Sequence, residues 1–140
     1  NSMCILNKVG SQLGLLEGVT AMTDVTGFGL LGHLLEVCQG SEVSAEIDFD
    51  SVPLLDPAVE MYRQMGCIPG GGKRNFASFA QHVSSLSDQQ QQILCDPQTS
   101  GGLLVAVEPG TIDEFLRIAP MAVEIGRLTE KASGHWITVR

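Results

Sequence analysis

The sequence has 140 residues, of which 44% are hydrophobic and 17% are charged, and this balance is typical of a globular domain rather than a disordered chain. Sixteen acidic residues against eight basic ones give a formal net charge of −8, which argues against a nucleic-acid partner because that binding depends on Lys and Arg. The apolar runs are far shorter than the roughly 20 residues of a membrane-spanning helix, so no membrane partner is expected. We expect residues 1–140 to form a single domain.

The cysteines and the opening segment indicate a reducing compartment. Cys4, Cys38, Cys67 and Cys95 lie about thirty residues apart and form no C-x-x-C pair, so a structural zinc site is not predicted. The opening residues lack the basic and apolar regions of a secretory signal peptide. We therefore expect reduced thiols and a cytoplasmic location. Because the sequence does not begin with Met, we also expect it to be a piece of a longer protein.

Hydrophobic periodicity predicts helices and strands in alternation along the first third of the chain. The predicted elements are a helix at Ser2–Leu16 capped by Ser2, a strand at Val19–Val25, a helix at Gly27–Cys38 that Gly40 stops, and a strand at Val43–Phe49.

The remaining elements follow from the same patterns and from the proline and glycine positions. They are a helix from Pro57 to about Met65, a loop at residues 66–75, helices at Phe76–Val83 and Asp88–Leu94, a buried strand at Leu103–Val107, a helix at Gly110–Ala119, and strands at Val123–Leu128 and His135–Val139 joined across Ser133–Gly134. The four glutamines that precede Ile93 are expected to face solvent. The mixture predicts an α+β domain, with a mixed β-sheet and helices packed on it.

Asp24 stands just before a glycine-rich turn that leads into the second predicted helix. A helix start offers unpaired N–H groups and the positive end of the helix dipole, and glycine lets the backbone approach an anion closely. A carboxylate would repel that anion, so Asp24 is best explained as a ligand of a cation that lies between it and a phosphate. Mg²⁺ is the expected ion, because carboxylates and phosphates are its usual ligands. The alternative is a helix N-cap, although Thr26 is closer to the helix start.

The same turn also matches the dinucleotide-binding pattern G-x-G-x-x-G through Gly27, Gly29 and Gly32, with Asp48 near the position of the ribose-binding acid. The preceding segment is too polar for a parallel strand that is buried on both faces, and no second βαβ unit follows. A dinucleotide site is therefore the less favoured interpretation.

Two further segments could line a site. Gly70–Asn75 could form an anion-binding nest that includes Lys73, or it could be an ordinary solvent loop. Asp96–Gly102 precedes a buried strand and could line a site, or it could be a turn organised by the Asp96 side chain. His33 is expected to make a surface contact with Glu36, one helical turn away.

Three stretches, DVTGFGLLGH at residues 24–33, PGGGKRNF at residues 69–76 and LCDPQTSGGLL at residues 94–104, resemble the signatures of the selenophosphate synthetase (selenide, water dikinase) family. The resemblance is to the C-terminal domain of that family and covers nearly the whole chain. The family belongs to a superfamily with aminoimidazole ribonucleotide synthetase, thiamine-monophosphate kinase and a hydrogenase maturation protein. The resemblance implies the α+β fold of these C-terminal domains and a separate N-terminal ATP-binding domain that dimerises.

The resemblance also implies a phosphotransferase with paired acceptors, which converts selenide, ATP and water to selenophosphate, orthophosphate and AMP with Mg²⁺ as cofactor. Asp24 matches the position that donates one carboxylate to the Mg²⁺–phosphate cluster, and Thr26, Asn75 and Thr99 match motif positions near the nucleotide. The family's catalytic Cys or selenocysteine lies in the N-terminal half, so we expect no catalytic residue in this chain and no activity of the isolated domain. Another ATP-dependent member of the superfamily, or a non-catalytic anion-binding module, is the alternative.

Overall fold

The computed structural model describes residues 4, 6–54, 58–67 and 69–140, and within them the chain forms two sheets and several helices. The strands are β1 (Val19–Asp24), β2 (Val43–Ile47), β3 (Leu103–Val107), β4 (Gly126–Glu130) and β5 (Ile137–Val139). The α-helices are α1 (Gly10–Leu13), α2 (Gly29–Ser41), α3 (Ala58–Gln64), α4 (Gly70–Phe79), α5 (Asp88–Leu94) and α6 (Ile112–Ile118). Among these residues, each helix is too short or too polar to cross a membrane.

The larger sheet is mixed, as the sequence predicts, and β2 is its central strand. β2 pairs antiparallel with β4 and parallel with β5, which gives the strand order β4-β2-β5. The last two strands are both present and are connected across Ser133–Gly134 as expected, but they do not pair with each other, because β2 lies between them. Ser44 and Ala45 of β2 are buried, so this strand needs hydrogen-bonding partners on both edges.

The smaller sheet pairs β1 with β3 in antiparallel register, so that Asp24 at the end of β1 faces Leu103 at the start of β3. This pairing brings the segment after β1 next to the segment before β3. It also excludes the dinucleotide-binding interpretation, which requires a parallel βαβ unit. Asp48, the candidate ribose-binding acid, instead caps a short 3₁₀ turn, where its side chain accepts hydrogen bonds from Asp50 N and Ser51 Oγ.

The core lies between α2 and the larger sheet, and α4 and α5 close it from the other side of α2. Its buried members come from α2, β2 and β5, from the end of α4 and the residues just after it, and from the end of α5. They are Leu31, Leu34, Leu35, Cys38, Ala45, Ile47, Phe79, Val83, Leu94, Cys95 and Ile137. Both buried cysteines are free thiols, and burial raises the pKa of Cys38 to about 11 and that of Cys95 to about 12. Reduced thiols are thus packing residues of this core.

Two predicted helix boundaries are wrong. The helix expected at Ser2–Leu16 is only Gly10–Leu13 in the described residues, and Ser2 itself lies outside them. Gly10 and Gly14 interrupt the predicted helix and lower its propensity, which accounts for the difference. Gly40 does not stop α2, which continues to Ser41 and ends at Glu42, a residue with a left-handed φ of 54°.

The prolines and the caps give a mixed result. Pro57 lies outside the described residues, but the helix predicted after it is present as Ala58–Gln64. α5 begins where the sequence predicts, because Ser87 and Gln90 form a reciprocal capping box.

Candidate functional site

The segment after β1 joins the segment before β3 at the edge of the smaller sheet. Val25 N donates to Gly102 O at 2.9 Å, and Gln98 N donates to Thr26 O at 3.0 Å. A side chain at Gly101 would overlap the Val25 carbonyl, so this approach requires glycine. The first and third sequence motifs therefore form one continuous surface.

Gly29 opens α2 with a φ of 71°, and its backbone touches the third motif. A Cβ at this position would lie 2.7 Å from the Cys95 carbonyl carbon. Both the left-handed conformation and the close contact exclude other residues. The residue before α2 is Phe28, and its side chain makes no capping hydrogen bond. The N-cap explanation of Asp24 is thus wrong, and the carboxylate is exposed at the end of β1.

The second motif is helical, which corrects the predicted loop at residues 66–75. Pro69 is the N-cap residue of α4, and Gly70–Asn75 form its first turns, so the nest and the solvent-loop interpretations are both wrong. The helix runs close beneath the third motif, because a Cβ at Gly71 would lie 2.6 Å from Pro97 Cγ. Lys73 and Arg74 are exposed on this helix.

Asn75 connects all three motifs. Its amide Nδ2 donates to Gly27 O at 2.8 Å and to Cys95 O at 3.0 Å. One side chain of α4 thus holds the turn before α2 and the end of α5 in place. This arrangement brings the predicted site residue Asn75 to the turn that follows Asp24 and Thr26, a contact that sequence spacing alone does not reveal.

Asp96 is part of the third motif and is half-buried. Gln98 Nε2 donates to Asp96 Oδ2 at 2.6 Å. Burial raises the pKa of Asp96, and the hydrogen bond from Gln98 opposes this shift. Because Gln98 N donates to Thr26 O and not to the Asp96 side chain, the Asx-type turn expected at Asp96 and Pro97 is not formed. Thr99 is exposed in the same segment.

His33 is the residue that sequence reasoning misjudged. Its contact with Glu36 is confirmed, with Nδ1 3.2 Å from Glu36 Oε2, but the ring is buried rather than superficial, at 8% exposure. Its Nε2 lies 3.0 Å from Thr26 Oγ1. Helical side chains point toward the helix N-terminus, and His33 lies one turn into α2, so its ring reaches the loop that precedes the helix. This directional rule is the feature from which the contact between His33 and Thr26 could have been predicted.

Asp24 is the exposed carboxylate that this surface offers to a metal ion. No group of three or more His, Cys, Asp or Glu side chains able to hold a metal ion is found in the described part of the chain. Asp24 is exposed, so its oxygens are accessible to an ion from solvent. Mg²⁺ is commonly held by one or two carboxylates together with substrate phosphates, and this donor set fits that mode rather than an all-protein cage.

A shallow pocket of about 180 Å³ lies beside the site, between α4 and α5, and is lined by Gly72, Lys73, Asp88, Gln91 and Gln92. The glutamines of α5 are half-buried, so the expectation that they face solvent is wrong. Gln92 Oε1 is buried without a hydrogen-bond partner among the described residues. Packing against α4 explains this burial, because α4 covers the glutamine-rich face of α5.

The fold defines the class of the protein. A crystal structure of E. coli HypE, described as a hydrogenase maturation protein, has the same fold, with a TM-score of 0.68 at 16% identity over 99% of this chain and 37% of that chain. At this identity the likeness concerns the fold alone. A family model described as "AIR synthase related protein, C-terminal domain" matches residues 4–137. The chain belongs to this family of C-terminal domains.

Several similar proteins are named selenide, water dikinase. One from Sulfurovum sp. (strain NBC37-1) is 54% identical over 99% of this chain and 41% of its own length, and one from Haemophilus influenzae (strain 86-028NP) is 51% identical over 94% of this chain and 39% of its own length. A third, from Shewanella sp. (strain MR-4), is 60% identical over 76% of this chain and 30% of its own length. These matches confirm the resemblance predicted from the three motifs. The chain spans about two fifths of the length of the first two relatives.

Proposed function

We propose that this chain is the C-terminal domain of a selenide, water dikinase and that it supplies one carboxylate to a Mg²⁺–phosphate cluster. The names of its relatives and their identity of 51% to 60% support the enzyme class. The observation that carries the site is the pair of hydrogen bonds from Asn75 to Gly27 and Cys95, because it unites the three family motifs on one surface.

The proposed reaction converts selenide, ATP and water to selenophosphate, orthophosphate and AMP. Phosphoryl transfer depends mainly on positioning and on neutralising the charge that develops on phosphate oxygens. Mg²⁺ supplies that neutralisation when bound. Asp24 suits the task of holding it, since its exposed carboxylate lies next to the glycine turn that opens α2, and oxygen is the ligand atom that Mg²⁺ prefers.

Individual residues have separate proposed roles. Asp24 is the carboxylate ligand of the metal, and Thr26 and Thr99 border the surface that receives the nucleotide together with its metal. Asn75 positions the loops by donating hydrogen bonds to their carbonyls, and it acts on the nucleotide indirectly, through the position of these loops. No residue of this chain is proposed to be the nucleophile.

The remaining parts of the enzyme are proposed to lie in the rest of the longer protein, consistent with the chain spanning about two fifths of its relatives. That part would hold the catalytic Cys or selenocysteine, bind most of ATP and selenide, and form the homodimer. The isolated chain is accordingly proposed to be inactive, and the whole enzyme to act in the cytoplasm.

Substitution of Asp24 in the full-length protein tests the proposal. Asp24→Asn keeps the size of the side chain and removes its charge, so selenide-dependent AMP formation should fall by at least about 100-fold, and higher Mg²⁺ should partly restore it. Asp50→Asn, at another exposed carboxylate, is the matched control and should leave turnover unchanged. Equal activities of the two variants would refute the role of Asp24.

The same assay separates the alternatives. ATP hydrolysis that does not depend on selenide would indicate another ATP-dependent member of the superfamily. Nucleotide binding by the isolated chain, measured by calorimetry with Mg²⁺ and ATP, should be weak or undetectable, whereas tight binding would favour a stand-alone anion-binding module.

A further inference from the structure

His33 connects the exposed carboxylate of Glu36 to the hydroxyl of Thr26, which lies in the loop between β1 and α2. Its Nδ1 lies 3.2 Å from Glu36 Oε2, and its Nε2 lies 3.0 Å from Thr26 Oγ1. The His33 side chain is 10% exposed and the Glu36 side chain 63% exposed, so the chain of contacts runs from solvent into the covered base of the loop. Phe28 covers the ring, with the two ring centroids 5.7 Å apart.

When the His33 imidazole is neutral, the chemistry of the three groups fixes the direction of each hydrogen bond. A carboxylate can only accept, so the contact with Glu36 requires the proton of a neutral imidazole to be on Nδ1. Nε2 is then a bare acceptor, and Thr26 Oγ1 must donate to it. In the opposite tautomer, a lone pair of Nδ1 would face the carboxylate oxygen across 3.2 Å, which is repulsive.

The consequence lies at Thr26. A hydroxyl has one proton and two acceptor lone pairs. Because the proton is committed to His33, the hydroxyl has none to give to a second group. Its oxygen can still accept a hydrogen bond or bind a cation. A phosphate oxygen is an acceptor too and would meet only lone pairs at this oxygen.

We propose that Glu36 and His33 are positioning residues that keep the Thr26 hydroxyl oxygen a hydrogen-bond acceptor. In the bound cluster, Thr26 Oγ1 then contacts Mg²⁺ or a water bound to Mg²⁺, rather than a phosphate oxygen. This inference rests on the proposed function, and it assigns Thr26 to the same ion as Asp24. It gives Glu36 a role although that residue is mostly exposed and touches the loop only through His33.

The hydrogen-bond direction is tested first, without any activity measurement. Long-range ¹H–¹⁵N spectra of the full-length protein with ¹⁵N-labelled histidine, in mildly alkaline buffer, report which imidazole nitrogen carries the proton, and His33→Asn identifies the signals of His33. We expect the proton on Nδ1. In Glu36→Lys, where the partner can only donate, it should move to Nε2. A proton on Nε2 in the unmodified protein would overturn the proposal.

The assignment of Thr26 to the cation is tested by metal affinity. Thr26→Val keeps the shape of the side chain and removes its oxygen, so Mn²⁺ binding to the ATP-loaded full-length protein should weaken about tenfold or more, and Thr26→Ser should restore it. Glu36→Lys should weaken Mn²⁺ binding and Glu17→Lys, the same charge change at another exposed residue, should not. Unchanged Mn²⁺ affinity in Thr26→Val would overturn the proposal.

Turnover measured in parallel distinguishes the two hypotheses. Suppose that the full-length protein shows the Nδ1 tautomer and loses Mn²⁺ affinity in Thr26→Val, but forms no AMP with selenide. This result would refute the proposed reaction and support the proposed roles of Glu36, His33 and Thr26.

Discussion

Removal of the Asn75 amide should loosen the contact between the three motifs. Asn75→Ala deletes the donor to the Gly27 carbonyl at 2.8 Å and to the Cys95 carbonyl at 3.0 Å. Gly27 is exposed, so water can replace the lost donor, and this bond is worth about 0.5 kcal/mol. Cys95 is fully buried, so its carbonyl is left without a donor at a cost of about 1–3 kcal/mol. The free energy of unfolding should therefore fall by about 1.5–3.5 kcal/mol.

Urea denaturation followed by circular dichroism measures this difference. Asn75→Asp should be worse than Asn75→Ala at neutral pH, because a carboxylate would face two carbonyl oxygens. Ser78→Ala is the matched control on the same helix: its hydroxyl is exposed and bonds only locally, to Asn75 O, so its loss should cost less than about 0.5 kcal/mol. If Asn75→Ala were as stable as Ser78→Ala, the proposed role of Asn75 in joining the loops would be refuted.

Three more predictions concern the same region. Gly29→Ala should lower the free energy of unfolding by about 3 kcal/mol or more, because Gly29 has a φ of 71° and a Cβ there would press on Cys95. Gly27→Ala is the control and should change the free energy of unfolding by less than about 0.5 kcal/mol, because there is open space around Gly27. Equal thermal stability of the two variants would contradict this prediction. Burial raises the pKa of Asp96 above its ordinary 3.8, so the folded chain holds the carboxyl proton more tightly than the unfolded chain does. The free energy of unfolding therefore falls as the pH rises from the ordinary pKa to the raised one. Asp96→Asn should flatten that fall in urea melts, and a steeper fall would argue against it. Gln92→Met removes a buried acceptor without a partner and should raise the unfolding free energy by about 1 kcal/mol; a less stable variant would contradict the assignment.

The elements with strong local signals are those that the sequence predicts well. Leu103–Val107 is a strand with the predicted bounds, and α5 spans the predicted Asp88–Leu94. In both cases a short-range pattern, an apolar run or a capping box, decides the structure.

The glycines of α4 explain the largest local error. Three successive glycines have low helix propensity, so the sequence predicts a loop. Tertiary packing overrides that preference, because a Cβ at Gly71 would lie 2.6 Å from Pro97 Cγ and would hold the helix away from the third motif. The absence of side chains, which weakens the helix locally, is what lets it dock.

Motifs in the sequence indicate the candidate site residues but not how the folded chain assembles them. Asp24, Thr26 and Asn75 could be named from motifs, whereas their meeting depends on the antiparallel pairing of β1 with β3 and on the side chain of Asn75. Both are long-range features that no local pattern encodes. The burial of His33 likewise depends on Phe28 and Thr26, which fold back over α2.

The measurement that addresses the central claim most directly is the structure of the full-length protein with Mg²⁺ and a non-hydrolysable ATP analogue. We expect a carboxylate oxygen of Asp24 at about 2.0–2.1 Å from a Mg²⁺ ion that also binds phosphate oxygens. A well-ordered nucleotide and metal with the Asp24 carboxylate beyond coordination distance would contradict the account.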